Sequence, residues 1–216
     1  LKDVFLNEYF NWVQLSKLNN LNGLKKFKNL SYVHGSSQAF DAFYAENSNR
    51  RFRCFKGDFF YHKISWRNNY NYTFIDEEKL QPNDAVVISL PFSDNGYIHP
   101  DTDGVIETCN KLEIPVLIDL AYYNMARGID FNLDEPCISA LAFSLSKGFY
   151  SLDRLRIGMR CKKEFNDDPI DFFNSCDMFN KAGAAMGLEI IKNFSPDHNQ
   201  NKFYEKQKDV CSKFKF

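Results

Sequence analysis

Lys147 follows the apolar run Ala140-Leu141-Ala142-Phe143 in the context Ser144-Leu145-Ser146-Lys147-Gly148. A lysine at a partly desolvated strand end has its pKa lowered, and the neutral amine attacks an aldehyde to form an imine. Any strand can also end in a solvated lysine, so the surrounding residues must decide. Asp119 closes Val116-Leu117-Ile118, which presents its carboxylate at the end of a buried strand. A carboxylate there needs a cationic partner, unless it serves only to cap the following helix. Gly35-Ser36-Ser37 stands where a strand gives way to a helix. Glycine permits close approach to the backbone, and free amides, the helix dipole and hydroxyls favour an anion, although serine is also an ordinary N-cap.

These residues need elements to bring them together. Apolar and β-branched runs predict strands at 30–33, 51–55, 85–90, 116–120, 138–143 and 156–161. Helical spacing predicts helices over 1–18, 37–46, 102–112 and 165–178, and a further one over 182–191. Strands that alternate with helices imply crossover connections. The fold class is therefore α/β, a three-layer αβα arrangement with a mostly parallel central sheet. Ala85-Val86-Val87-Ile88 and Ile114 to Ile118 are apolar without a break, as central strands covered on both faces are. In such sheets ligands collect at the carboxyl ends of the strands, where Gly35, Asp119 and Lys147 fall.

Gly35-Ser36-Ser37-Gln38-Ala39, Asp119-Leu120-Ala121-Tyr122, Ser144-Leu145-Ser146-Lys147 and Leu155-Arg156-Ile157-Gly158 resemble, in this order, the motifs of the class I/II aminotransferases. These are fold-type I enzymes that use pyridoxal 5′-phosphate (PLP), and the resemblance covers roughly residues 30–159, the bulk of their large domain. It implies PLP as cofactor, with Lys147 as the Schiff-base lysine and Asp119 as the partner of the pyridine nitrogen. Tyr122 would hydrogen-bond the phenolic oxygen, and Gly35, Ser36, Ser37, Ser144 and Arg156 would form the phosphate cup. Arg156 comes nine residues after Lys147, one more than the family's usual spacing, and Arg154 lies on the same segment, so either arginine fits. Where the family carries Asn-Pro-x-Gly, this chain has Leu90-Pro91-Phe92-Ser93-Asp94-Asn95-Gly96, leaving Ser93 or Asn95 to replace the asparagine. The resemblance implies an aromatic ring stacked on the pyridine, for which Phe60 and its neighbours Phe59 and Tyr61 are all candidates that the sequence alone does not separate.

The resemblance implies an aminotransferase that moves an amino group between a small-molecule amino donor and a carbonyl acceptor, working as a homodimer. A lyase or decarboxylase of the same fold type, or a non-catalytic binding protein on the same fold, are the alternatives. Residues 1–178 are expected to form the PLP-binding large domain. Residues 179–216 are expected to lead toward a small C-terminal domain that this chain largely lacks. The opening at Leu1, with no basic-then-apolar leader, reads as a fragment.

Composition narrows the remaining possibilities. With 27 Lys and Arg against 28 Asp and Glu, the formal charge of -1 gives no general attraction to nucleic acid or anionic membranes. The longest apolar runs are of strand length, too short to span a bilayer. Six cysteines without a CxxC pair suit reduced thiols in a cytoplasm. Four scattered histidines offer no metal-ligand spacing. Neither GxGxxG nor GxxxxGK[ST] is present, which leaves a nucleotide phosphate without a cradle.

Overall fold

The structure is a computed structural model and describes residues 1–62, 70–149, 154–165 and 167–215. In chain order it runs α1 (Lys2–Val13), β1 (Asn20–Asn22), β2 (Asn29–Val33), α2 (Ser36–Glu46), β3 (Arg51–Cys54), β4 (Tyr72–Phe74), β5 (Asp84–Ser89) and α3 (Thr102–Leu112). It continues through β6 (Val116–Leu120), β7 (Asp130–Asn132), β8 (Ile138–Ser144), β9 (Gly158–Lys162), α4 (Pro169–Ser175), α5 (Lys181–Asn193) and α6 (His198–Phe214).

Seven strands form one sheet in the order β2-β9-β8-β6-β5-β3-β4. The pairs from β8 to β4 are parallel, while β9 runs antiparallel to both neighbours. The expected mostly parallel sheet is present, and β1 and β7 form a separate parallel pair.

Alternation along the central strands builds the three layers. Val86 and Ile88 of β5, Ile118 of β6 and Leu141 and Phe143 of β8 pack on the side that carries α1, α3 and α5. Their neighbours Ala85, Val87, Leu117, Ala140 and Ala142 face Ala39, Phe40, Phe43 and Tyr44 of α2. Successive strand residues point to opposite faces, so an unbroken apolar run is what a doubly covered strand requires. Three alanines on the α2 side leave room for its phenylalanines, and each buried aromatic or aliphatic side chain contributes about 1.5–3 kcal/mol. On the other side, α5 lies against α1 closely enough that a Cβ at Gly187 would stand 2.5 Å from the Phe5 ring. Ala184, Leu188 and Ile191 of α5 belong to the same core.

Differences from expectation have local causes. α1 stops at Val13 and α4 covers only Pro169–Ser175, with Asp168 accepting the Asp171 N–H and Pro169 at the first helical position. Residue 166, inside the predicted helix 165–178, lies outside the described residues. The final helix α6 was not expected, because none of its residues is buried and its sequence is dominated by polar and charged residues. β1, β4 and β7 are three-residue strands, too short to show an alternation.

Candidate functional site

The carboxyl ends of β2, β3, β5, β6 and β8 share one edge of the sheet, and the antiparallel β9 starts at the same edge. Register fixes the lateral spacing there: Ser89 stands opposite Asp119, Asp119 opposite Ala142, and Gly158 between Val33 and Ser144. Ser36, Phe59, Ser89, Pro91, Ser93, Asp119, Ala121, Tyr122 and Lys147 line a narrow cleft at this edge, with about 20 Å³ of open space.

Lys147 sits in the turn that follows β8. Its ammonium lies 5.8 Å from the centre of the Phe59 ring and 5.6 Å from that of Tyr122, two aromatic walls that limit where the amine can point. The turn is held by the Ser146 hydroxyl, which accepts the Ile157 N–H at 3.0 Å, and by the Leu145 N–H donating to the Ile157 carbonyl at 3.0 Å.

Asp119 is only 6% exposed, and its carboxylate accepts the Ala121 N–H at 2.9 Å. Burial pushes its carboxyl up to about 7, the nearby Asp58 carboxylate adds to the rise, and the Lys147 ammonium acts against it. A carboxyl raised this far keeps its proton through the ordinary carboxylate range, and a cation placed beside it would return it to the ionised form.

Two residues behind Asp119 were not anticipated. His62 Nε2 lies 3.9 Å from the Asp119 carboxylate and, though buried, has no hydrogen-bond partner among the described residues. Its Nδ1 is 2.7 Å from the Tyr44 hydroxyl. Burial keeps that hydroxyl protonated and lowers the His62 pKa to about 4, so the ring is neutral. Asp58, also buried, accepts from the Ser93 hydroxyl at 3.0 Å and from the Ser89 N–H at 3.3 Å. A lone histidine and a lone aspartate in an aromatic-rich loop carry no periodic signal. The only clue was the turn Phe59-Phe60-Tyr61-His62, in which the His62 N–H donates to the Phe59 carbonyl.

The anion cradle forms at the start of α2. Gly35, its N-cap, has φ +76° and offers no side chain to the first turn; the Gln38 N–H donates to the Gly35 carbonyl, and the Ser36 and Ser37 amides remain available to an external acceptor. A Cβ at Gly35 would lie 2.5 Å from the Arg156 guanidinium, so glycine is what lets that cation cover the helix end. The guanidinium donates to the Ser37 hydroxyl at 2.7 Å. Arg156 itself takes φ +51°, a conformation costing on the order of 1 kcal/mol in a non-glycine residue. Of the two arginines considered, it is Arg156 that the structure brings to this helix, while Arg154 is exposed in the preceding turn.

Two expected residues are placed differently. Phe60 is 65% exposed and does not line the cleft; Phe59 does, because the turn directs alternate rings to opposite sides. The Ser144 hydroxyl is turned into the backbone between β8 and β9, 3.4 Å from the Ile157 carbonyl, and accepts the Ser146 N–H at 3.2 Å. At the start of α2 the structure thus brings Gly35, Ser36, Ser37 and Arg156 together, without the Ser144 hydroxyl. Tyr122 stands at the cleft mouth, 45% exposed. Past Phe59, Ser93 and Tyr122 the cleft opens into a pocket of about 740 Å³, within the range of small-molecule sites.

No protein-family model matches the chain, and no curated protein sequence matches it. Solved structures do match in fold. Alanine aminotransferase from Pyrococcus furiosus aligns with a TM-score of 0.69 at 11% identity, over 97% of this chain and 60% of its own. The PLP-bound C-S lyase from Staphylococcus hominis, crystallised as an external aldimine with L-cycloserine, aligns with a TM-score of 0.70 at 9% identity, over 99% and 61%. L-threonine-O-3-phosphate decarboxylase from Porphyromonas gingivalis aligns at 0.56 and 14% identity, over 91% and 66%. The chain spans roughly three fifths to two thirds of the length of these structures. Strand order, layer arrangement and these alignments agree, and the chain has the large-domain fold of the fold-type I PLP-dependent enzymes.

Proposed function

We propose that this chain binds pyridoxal 5′-phosphate at the β-strand edge and serves an aminotransferase. The observation that carries the reading is the joint placement of three groups: the Lys147 amine, the buried Asp119 carboxylate and the Arg156-covered start of α2. Each suits one part of that cofactor. The Ser36 and Ser37 amides and Arg156 suit a phosphate, Asp119 suits a protonated ring nitrogen, and Lys147 suits an aldehyde carbon. When bound, PLP supplies an electron sink for the bonds at an amine's α-carbon.

The chain's own residues do the rest. The Lys147 amine would hold the cofactor at its aldehyde carbon, and the same amine, when free, would be placed to move a proton at the substrate's α-carbon. Phe59 and Tyr122 restrict the directions that amine can take. Asp119 would stay ionised beside a protonated ring nitrogen, while the neutral His62 ring packs 3.9 Å from its carboxylate without a hydrogen bond. Asp58 accepts the proton of the Ser93 hydroxyl, so Ser93 turns an oxygen lone pair toward the cleft.

A lyase or decarboxylase is the second reading, favoured by the C-S lyase and decarboxylase among the fold neighbours. The homodimer implied by the motifs belongs to this proposal. So does a reducing cytoplasm, in keeping with six free cysteines, four of them buried. No helix of the described residues is long and apolar enough to cross a membrane.

The reaction class is tested by loading the protein with PLP, adding single amino acids and analysing the products. Transamination predicts one equivalent of oxo acid, with the nitrogen retained until a carbonyl acceptor is added. Free ammonia with an eliminated thiol, or carbon dioxide with an amine, would replace the aminotransferase reading by the second one.

A further inference from the structure

None of the residues of α6 is buried, yet the helix starts against the two turns that frame the cleft. Asp197, its N-cap and only 6% exposed, accepts from the Ser16 hydroxyl at 2.5 Å and from the Lys17 N–H at 2.7 Å, which ties the helix start to the loop after α1. In the first turn the Asn199 side-chain amide donates to the Gly148 carbonyl, and that of Gln200 donates to the Met125 carbonyl. One turn later the Tyr204 ring receives the Arg127 guanidinium, 3.8 Å from its centre. The helix is thus held by polar contacts to particular atoms, and those atoms belong to the segments that carry Lys147 and Tyr122.

Gly148 follows Lys147 directly, and its lack of a side chain is used. A Cβ there would stand 2.0 Å from the amide nitrogen of Asn124. Asn124 belongs to the turn that the Met125 N–H closes by donating to the Tyr122 carbonyl at 2.9 Å. The two turns therefore touch, and Asn199 fixes the Gly148 carbonyl from α6. Ahead of the lysine, Ser146 is already held to Ile157; Asn199 supplies the hold behind it. A lysine amine sits on a flexible four-carbon stem, so it is only as well placed as the backbone from which it starts. A displacement of about 1 Å in a reacting group costs on the order of 100-fold in rate.

We propose that Asn199 is a positioning residue for Lys147: from the first turn of α6 its amide holds the Gly148 carbonyl, and with it the backbone that aims the amine between Phe59 and Tyr122. The consequence for imine formation rests on the PLP reading; the clamp itself does not. It also gives α6 a task that its lack of buried residues leaves otherwise unexplained, since a movement of the helix start would be passed to the amine through one hydrogen bond.

Competitive acetylation with a trace of acetic anhydride, mapped by mass spectrometry on the full chain without PLP, reads how the Lys147 amine is held. Lys147 is half-buried, and in Asn199→Ala it should be acetylated at least about threefold faster, as the turn opens locally. The exposed Lys25 and Lys56 should keep their rates, and Asn201→Ala, altered at an exposed position of the same turn, should leave Lys147 at the wild-type rate. Asn199→Asp keeps the shape without the donor and suits a helix start, so it should match Asn199→Ala and decides the matter if that variant does not fold. A wild-type Lys147 rate in both Asn199 variants, the same change in Asn201→Ala, or a rise shared by all lysines would overturn the clamp. Titration of the same proteins with two ligands then joins the clamp to the chemistry. PLP, whose aldehyde condenses with the amine with loss of water, should bind about tenfold more weakly to Asn199→Ala, while pyridoxine 5′-phosphate, which carries an alcohol instead, should bind equally to both. A loss shared by the two ligands would overturn an action through Lys147. An altered Lys147 rate with no visible PLP band in any of the proteins supports the clamp and overturns the cofactor reading; a band with an unaltered rate overturns the clamp alone.

Discussion

Asp119 couples the site to pH through its surroundings. Burial, and then Asp58, raise its carboxyl from the ordinary 3.8 to about 7, so between these values the folded chain keeps a proton that the unfolded chain releases. Its favourable contribution is complete below about 3.8 and is lost as pH rises through about 7. Asp119→Asn keeps the shape without the titration. In the absence of PLP it is expected to be more stable than wild type at pH 8, by on the order of 2–4 kcal/mol, with the gap closing toward pH 4. Denaturant melts at the two pH values measure this, and an equal gap at both would contradict the assigned cause. His62 works in the opposite direction, since burial lowers it from 6.5 to about 4, and its contribution is lost as pH falls through that interval. It is present in both variants and so drops out of the comparison. Lys147 and Asp119 were singled out by the motifs around them, Ser144-Leu145-Ser146-Lys147 and Asp119-Leu120-Ala121-Tyr122, since an apolar run that ends in a charged residue is common on its own. Asp58 and His62 were not, since their importance comes from Tyr44 on α2 and Ser93 on another loop.

The start of α2 is where two elements must meet at short range. Gly35 lies under Arg156, and Gly158 lies under the Phe143 carbonyl, where a Cβ would come within 2.7 Å. Gly35→Ala adds a methyl group 2.5 Å from the guanidinium at a φ of +76°. It is expected to cost about 1–2 kcal/mol in stability and to weaken PLP binding at least about tenfold by moving Arg156 off the helix end. Thermal melting and a PLP titration check the two effects, and unchanged PLP affinity would remove Arg156 from the cradle. The glycine, the serines and an arginine were visible in the sequence. The choice between Arg154 and Arg156 was not, because it depends on the left-handed backbone at Arg156, which residue spacing does not reveal. Phe59 and Phe60 posed a similar ambiguity. Adjacent rings in a turn point to opposite sides, and Phe59 is directed inward by its edge-on contact with His62, whose ring in turn packs on Phe40.

At the scale of the molecule, the central strands were legible because a sheet covered on both faces demands continuous apolar runs, and β5, β6 and β8 have them. The reversed direction of β9 was not, since the segment between β8 and β9 carries no signal that separates a return from a crossover. α6 escaped notice for a related reason: with no buried residue, its sequence records solvent rather than packing. The architecture nevertheless explains why the chemistry gathers at one edge. Parallel strands deliver Asp119 and Lys147 from neighbouring positions, and the antiparallel β9 returns Arg156 to the same edge beside α2. All of this converges on one amine. The protein should be loaded with PLP, reduced with borohydride, digested and mapped by mass spectrometry beside Lys147→Ala. A pyridoxyl group on Lys147, with none at another lysine and no visible band in the variant, is the predicted result. A pyridoxyl group distributed over surface lysines, or a band that survives in Lys147→Ala, would contradict the assignment of Lys147 and the function built on it.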